Sequence, residues 1–350
     1  MAHRGKSERS AIHTSNARVS RIRRAFARDL WLLMLVTIVL VSGCSTATPS
    51  TTSSPAPPSE PSPSSSTAQI VASKRLDERT EDLTIESPAV GDQVNVRVLL
   101  PAKYKSEKSR HWPVLYLLHG CCDSYVSWTR STDITKLTED SDLIVATPDG
   151  GPAGFYSDWR TGPKWETFHT VELPSLLAQH YRANGVAAVA GVSMGGLGAL
   201  DYAARHPGMF TVAASFSGIV HTRLSRDRSQ GYLQLVQSEG EDPLALWGDP
   251  QADRDIWKQH NPYDLAPQLK DVRLFISAGD GDPGPLDSAG TGHDEIETAL
   301  RAENQAFADR VRKLGLNAEI NLYEPGTHNW IYWQRELHRA WPLISDGLGL

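Results

Sequence analysis

The sequence has little that could hold a metal ion or a redox cofactor. Its 350 residues include only three cysteines, which are Cys44 and the adjacent pair Cys121 and Cys122. No H-E-x-x-H run occurs, so the spacing that places two zinc-binding histidines on one helix face is missing. We therefore expect neither a metal nor a cofactor.

Positive charge is scarce outside the N-terminus. Residues 1–43 hold eight of the 35 basic residues but only two of the 41 acidic ones, which leaves residues 44–350 with a formal charge of −12. An acidic surface repels phosphate backbones, and no basic stripe with interleaved aromatic residues occurs. No sequence period of about 20–50 residues repeats either. These absences argue against nucleic acid as a partner and against a solenoid or propeller.

The N-terminal apolar run is too short to span a bilayer comfortably. It covers twelve residues, Leu30–Val41, and follows the basic stretch Arg18–Arg28, which is typical of a signal peptide. The run V-S-G-C that ends at Cys44 resembles the lipobox of bacterial lipoproteins, in which the cysteine becomes the lipidated first residue. We predict a signal peptide over residues 1–43 and lipidation of Cys44. The protein would then be exported and anchored to the outer face of the cytoplasmic membrane, or otherwise secreted.

The next segment is almost entirely serine, threonine, proline and alanine. Such a composition cannot bury apolar surface, and its prolines favour an extended chain. We predict a linker over residues 44–72 and one catalytic domain over residues 73–350, a length that suits a single large α/β domain.

In that domain, apolar β-branched runs alternate with stretches of helical period. Near-continuous apolar strands separated by helices predict a mostly parallel sheet covered by helices on both faces. The predicted strands are Val94–Leu100, Pro113–Leu118, Leu143–Pro148, Val186–Val192, Val212–Phe216, Arg273–Ser277 and Ala318–Tyr323. The predicted helices are Thr167–Tyr181, Met194–His206, Asp255–Leu269 and Glu295–Leu314.

Ser193 lies in the run G-V-S-M-G-G, between a predicted strand and a predicted helix. That is the context of the nucleophile elbow in the α/β-hydrolase fold. The glycines permit a tight turn, and the helix N-terminus adds positive potential where an oxyanion would form. We predict that Ser193 is a catalytic nucleophile, the alternative being a glycine-rich turn without a catalytic role.

A catalytic serine needs a base, and chain order in this fold is serine, acid, histidine. His328 follows the last predicted strand, whereas its nearest rival, His293, lies in a glycine-rich insertion before a helix. We therefore predict His328 as the general base. For the acid, Asp280 and Asp282 directly follow the penultimate strand, and Glu297 begins the helix that leads toward His328. The residues alone do not choose among the three.

The oxyanion hole should use two backbone N–H groups. We predict those of Met194, just after the nucleophile, and of Cys121, in the loop after strand Pro113–Leu118. Export favours disulfides, but neighbouring cysteines close only a small, strained ring. We expect Cys121 and Cys122 to be free thiols that pack as small hydrophobic groups, with a disulfide as the alternative.

Several motifs in order make the chain similar to a known family. Residues 90–345 resemble the esterase D group of α/β-hydrolases, and within it the secreted mycolyltransferases of the antigen 85 type. The elbow is accompanied by G-F-Y-S-D-W at Gly154, K-W-E-T-F at Lys164, E-L-P at Glu172, W-G-D-P at Trp247 and G-T-H-N-W at Gly326.

This resemblance implies which residue is the catalytic acid and bears on which molecule accepts the acyl group. The family's catalytic glutamate precedes an arginine, an asparagine and a phenylalanine on a helix, which favours Glu297 here, with Asp282 or Asp280 as fallback. The tryptophan after the histidine is present as Trp330 and is expected to bind substrate. The family's acidic residue and arginine that help bind the sugar are replaced by His119 and Cys122. Water thus becomes the favoured acyl acceptor.

The sequence as a whole predicts a serine esterase whose substrate is a small-molecule or lipid ester. The first alternative is an acyltransferase that moves an acyl chain to a cell-envelope sugar or alcohol. The second is a surface-binding protein that has the fold but no catalytic activity.

Overall fold

The computed structural model describes residues 67–350. The predicted signal peptide, Cys44 and most of the predicted linker lie outside these residues. The first strand begins at Gln69, four residues before the predicted start of the domain at residue 73. It continues the sheet by pairing with a second strand, so the folded part extends into the predicted linker.

The described chain is built on a nine-stranded sheet with the order β1-β2-β3-β5-β4-β6-β7-β8-β9. The first three pairs in this order, β1–β2, β2–β3 and β3–β5, are antiparallel. The remaining five pairs, from β5–β4 to β8–β9, are parallel. The strands are β1 Gln69–Arg75, β2 Thr80–Ser87, β3 Asp92–Leu99, β4 Trp112–Leu118, β5 Ile144–Pro148, β6 Ala183–Val192, β7 Val212–Phe216, β8 Arg273–Ala278 and β9 Ala318–Leu322. The predicted α/β-hydrolase fold is confirmed, and β1 and β2 were not predicted.

Helices cover both faces of this sheet. They are α1 Ser127–Ser131, α2 Ile134–Leu137, α3 Trp165–Thr167, α4 Leu173–Tyr181, α5 Met194–Arg205, α6 Arg226–Ser238, α7 Pro243–Trp247, α8 Arg254–Gln259, α9 Pro262–Leu265, α10 Glu295–Leu314 and α11 Trp330–Leu348. A π-helical turn, Phe168–Glu172, joins α3 to α4, and short 3-10 helices cover Ala102–Tyr104 and Ala266–Leu269. No helix within residues 67–350 combines the length and the apolar character needed to cross a bilayer.

Two hydrophobic cores lie on opposite faces of the sheet, because alternate residues of each strand point to opposite sides. Val114, Tyr116 and Leu118 of β4 join the core beneath α4, α5 and α10. Leu115 and Leu117 join the other core, which α1 and α11 cover. The central strands are therefore buried on both faces, as their continuous apolar character predicts.

The helix predicted over Asp255–Leu269 is wrong as a single element. The chain instead forms α8, α9 and a 3-10 helix there. Pro262 begins α9, and Asn261 before it is extended, with φ −126° and ψ 104°. A proline disfavours helical backbone at the residue before it and lacks the N–H that a continuing helix needs.

Candidate active site

Ser193 lies at the junction of β6 and α5, at the edge of the sheet where the parallel strands end. Its φ of +55° is in the left-handed region, which side chains other than glycine rarely adopt. Its N–H donates to the carbonyl of Phe216 at 3.0 Å, and its carbonyl accepts from the N–H of Ile219 at 3.1 Å. The last residue of β7 and the loop that follows it thus hold the strained turn through the N–H and the carbonyl of Ser193.

Two glycines allow this turn to pack closely. A Cβ on Gly191 would lie 2.1 Å from the carbonyl oxygen of Gly195, and one on Gly195 would lie 2.3 Å from the carbonyl oxygen of Leu118. Helix α5 therefore contacts the ends of β6 and β4 backbone to backbone. Met194 is the first residue of α5, where an N–H has no acceptor within the helix.

Glu297 and His328 meet beside this turn. Nδ1 of His328 lies 2.7 Å from Oε2 of Glu297, whose side chain is fully buried. The other carboxylate oxygen accepts from Oγ of Ser217 at 2.7 Å and from the N–H of Gly279 at 2.5 Å. A carboxylate so held favours the tautomer with the proton on Nδ1, which leaves Nε2 free to accept a proton.

The other candidate acids have different partners. Asp280 accepts from the N–H groups of Asp282 and Gly326 at 3.0 and 3.1 Å. Asp282 is exposed and its Oδ1 lies 2.8 Å from Nδ1 of His293. Of the three candidates, the structure therefore brings only Glu297 to the His328 ring.

The loop after β4 lies against the elbow, since a Cβ on Gly120 would be 3.1 Å from the Cβ of Ser193. Buried His119 braces this loop: its Nδ1 lies 2.8 Å from the carbonyl of Gly120, and its Nε2 accepts from the N–H of Gly150 at 2.9 Å. Burial lowers the pKa of His119, so the ring is neutral and can make both bonds. The carbonyl of Gly120 and the N–H of Cys121 belong to one peptide unit, and in a trans peptide these two groups point in opposite directions. Because His119 holds the carbonyl, it also fixes the direction of the Cys121 N–H.

The expectation of free thiols at Cys121 and Cys122 is wrong for this structure. The two cysteines form a disulfide, their peptide bond is cis, and their Cα atoms are 3.2 Å apart. Their sulfur atoms are thus within bonding distance despite the small ring. Within the described residues, Glu239 is the one other potential ligand that lies with them, and disulfide sulfurs are not thiolate ligands.

A cleft of about 340 Å³ opens above Ser193. Trp330, the predicted substrate-binding residue, lines it and packs edge-on against Trp128 and Trp333, with ring centres 5.2 and 5.0 Å apart. The full lining is Gly120, Cys121, Asp123, Ser193, His328, Asn329, Trp330 and Trp333. The predicted nucleophile, base, oxyanion loop and substrate-binding residue thus share one cavity.

Sequence reasoning missed Ser217 and Trp333. Ser217 Oγ accepts from Nε1 of Trp333 at 3.0 Å while it donates to Glu297, so it links α11 to the buried carboxylate. Trp333 also packs edge-on against the His328 ring, with centres 4.7 Å apart. Ser217 directly follows a buried strand, and polar residues at the carboxyl ends of parallel strands meet at one edge of the sheet. Its position could therefore have indicated a site residue.

The chain is similar in sequence to known proteins. Residues 87–344 match the model of the Esterase family. The chain is 31% identical to the diacylglycerol acyltransferase/mycolyltransferase Ag85B of Mycolicibacterium smegmatis over 291 residues, which cover 77% of this chain and 85% of that protein.

Solved structures also share the fold, among them the following two. The first is MPT51 (FbpC1) of Mycobacterium tuberculosis, with a TM-score of 0.63 and 25% identity over 75% of this chain and 96% of that one. The second is an S-formylglutathione hydrolase from Agrobacterium tumefaciens, with a TM-score of 0.63 and 20% identity over 80% of this chain and 99% of that one. The predicted resemblance to antigen 85 type proteins is confirmed.

Proposed function

The chain belongs to the Esterase family, and on that premise we propose that it cleaves carboxylic esters through an acyl-enzyme on Ser193. It is an enzyme of the esterase/acyltransferase class. The observation that carries the proposed mechanism is the 2.7 Å contact between the buried Glu297 carboxylate and His328, in a cleft that Ser193 also lines. This is the arrangement of nucleophile, base and orienting acid that acyl transfer requires.

In the proposed reaction, Oγ of Ser193 attacks the ester carbonyl while Nε2 of His328 takes its proton. Glu297 stabilises the imidazolium that forms, and the N–H groups of Met194 and Cys121 hold the tetrahedral oxyanion. The intermediate collapses as His328 gives the proton to the departing alcohol. Water then attacks the acyl-enzyme by the same steps, which releases the acid and restores Ser193.

Two observations favour water over a sugar as the acceptor. His119, at the place of the family's sugar-binding acidic residue, is only 1% exposed and both its ring nitrogens face backbone groups. Cys122, at the place of the arginine, is tied into a disulfide. The cleft volume of about 340 Å³ lies at the lower end for small-molecule sites, which supports a small ester as substrate.

The second candidate function is acyl transfer to an alcohol. It is favoured by the Ag85B relatives, whose names describe acyltransferases, and by Trp330, which lines the cleft. Both candidates use the same proposed catalytic residues, so they differ only in what attacks the acyl-enzyme.

We also propose that the protein is exported and held at the membrane by a lipid on Cys44. The support is the sequence of residues 1–44, with its basic stretch, its twelve-residue apolar run and the cysteine that follows. A lipid anchor would place the cleft near ester lipids as well as soluble esters.

The test is hydrolysis of p-nitrophenyl esters of graded chain length, with and without trehalose, glucose or glycerol as acceptors. We expect hydrolysis in buffer and a fluorophosphonate adduct on Ser193. Ser193→Ala should lower kcat by at least about 10³-fold, because the oxyanion hole without the nucleophile gives little catalysis. Exposed Ser238→Ala is the control and should leave kcat unchanged.

Three results would contradict the proposal. Ser193→Ala protein that retained more than about a tenth of wild-type kcat would remove Ser193 from the mechanism. Acyl-sugar product formed faster than free acid at millimolar acceptor would establish the transferase instead. Wild-type protein that neither hydrolysed esters nor reacted with fluorophosphonate would indicate the non-catalytic alternative.

A further inference from the structure

The loop 279–294, between β8 and α10, reaches the loop that carries His328. Three of its carboxylates accept hydrogen bonds from three consecutive residues of the histidine loop. The pairs are Asp280 Oδ1 with Gly326 N–H at 3.1 Å, Asp287 Oδ1 with Thr327 Oγ1 at 2.6 Å and Asp294 Oδ2 with His328 N–H at 2.9 Å. We name Asp280, Asp287 and Asp294 the aspartate clasp.

Asp294 differs from the other two members because it also binds the backbone of Glu297. Its Oδ1 accepts from the N–H groups of Ile296 and Glu297 at 3.0 and 3.1 Å, which caps the N-terminus of α10. Its Oδ2 accepts from the N–H of His328. The side chains of Glu297 and His328 then meet at 2.7 Å, so the three residues form a closed ring of hydrogen bonds.

From this ring we propose that Asp294 is a positioning residue for the reaction, which fixes the Glu297–His328 pair by holding both backbones with one carboxylate. The inference rests on the proposed function, since it assigns Asp294 a role in placing the base and its acid. Asp294 does not line the cleft above Ser193, so it acts only through the two residues that it holds.

The physical reason lies in how the two residues are joined to the fold. Glu297 belongs to a 20-residue helix, whereas His328 belongs to an irregular loop between β9 and α11. Asp280 and Asp287 hold the two residues before His328, and Asp294 is the member of the clasp that holds His328 itself. Without this hydrogen bond, His328 could shift against the helix, and a misplacement of about 1 Å can cost about 100-fold in rate. A hydrogen bond from a backbone N–H to an ionised carboxylate is short and strong enough to resist such a shift.

Asp294→Ser should keep the cap of α10 and remove the hydrogen bond to the N–H of His328. A serine hydroxyl caps a helix about as well as an aspartate carboxylate does. The serine side chain has only one oxygen, however, and it is too short to accept from the N–H of His328 as well. We expect kcat to fall about 10–100-fold with KM within about twofold of wild type, and the rate of fluorophosphonate labelling to fall with kcat. The Tm should stay within about 3 °C of wild type because the cap is kept.

Asp294→Asn is the second variant, should serine disturb the fold. Its amide oxygen can cap α10, but its amide nitrogen would face the N–H of His328, donor to donor, so kcat should fall in the same way. Asp242→Ser is the matched control, since Asp242 caps α7 by accepting from the N–H of Leu244 at 3.0 Å and has no link to His328. Its kcat should equal that of wild type.

The outcomes separate this inference from the proposed function. Wild type that hydrolyses esters, with Asp294→Ser or Asp294→Asn folded and within twofold of its kcat, would overturn the inference and leave the proposed function intact. Unfolding of both variants, or a loss confined to KM, would reduce Asp294 to a structural residue and also overturn it. Wild type that lacks both hydrolysis and labelling would overturn both.

Discussion

A single carboxylate, that of Glu297, meets a histidine, a hydroxyl and a backbone N–H at once. We predict that Glu297→Gln lowers kcat by about 10³–10⁴-fold with KM little changed, because an amide cannot stabilise the imidazolium or hold its tautomer. Steady-state kinetics on a p-nitrophenyl ester will measure this. Asp282→Asn makes the same chemical change in an exposed residue nearby and should stay within about twofold of wild type. The reverse ranking of the two variants would move the acid to the loop after β8.

Another residue, Asp201 of α5, is buried without a visible function. Its two carboxylate oxygens have no hydrogen-bond partner among residues 67–350, and burial raises its pKa well above the usual value. An acid whose pKa is higher in the folded chain stabilises the fold at low pH, and this stability is lost as pH rises from the unfolded pKa toward the folded one.

We therefore predict that Asp201→Asn is more stable than wild type at pH 7 and equal to it below about pH 4. Between the two pKa values the difference should grow by about 1.4 kcal/mol per pH unit, since one proton is linked to unfolding. Urea titrations at several pH values measure it, with exposed Asp271→Asn as control. A difference that does not change with pH would show that Asp201 finds a compensating partner.

At the scale of elements, the elbow depends on how closely α5 approaches β4. We predict that Gly195→Ala destabilises the protein by about 1–3 kcal/mol and abolishes ester hydrolysis. The added Cβ would lie 2.3 Å from the carbonyl oxygen of Leu118 and 2.7 Å from that of His119, which pushes the nucleophile and the oxyanion loop apart. Activity assays and thermal melts test both effects.

Gly231→Ala is the matched control for this prediction. Gly231 lies within α6, and a Cβ there would meet no other atom of residues 67–350 within 4 Å. Because alanine favours a helix over glycine, this variant should gain roughly 0.5–1 kcal/mol and remain active. A fully active Gly195→Ala protein would mean that the close approach of α5 to β4 is not needed for the elbow.

What the sequence could predict also differs by element. The buried strands are near-continuous apolar runs with clear ends, and Glu295–Leu314 has a helical period. The predicted bounds of these elements agree with the structure to within three residues. Strands β1 and β2 are mixed in polarity, and α11 begins at Trp330, the last residue of the histidine motif, so none of the three was predicted. The aspartate clasp joins residues more than 30 positions apart, and no local pattern could reveal which donors its carboxylates meet.

At the scale of the whole molecule, the proposed anchor decides where the enzyme acts. We predict that mature protein from a bacterial host partitions into the detergent phase, and that Cys44→Ala either releases it or leaves the precursor uncleaved. Mass spectrometry of the N-terminus and phase partitioning measure this. Cys122→Ser, which leaves residues 1–44 intact, should still partition into detergent. A mature N-terminus well beyond Cys44, without lipid, would contradict the anchor.

The directions of the strands decide how the enzyme can be attached to a surface. Three antiparallel pairings separate β1 from the parallel strands, so Gln69 lies at the edge where β6 ends and Ser193 begins. Helix α11 starts in the cleft at Trp330 and ends with Gly347 against Val212, the first residue of β7, at the opposite edge. Coupling through the C-terminus would therefore present the cleft to solution, whereas coupling just before Gln69 would turn the cleft toward the support.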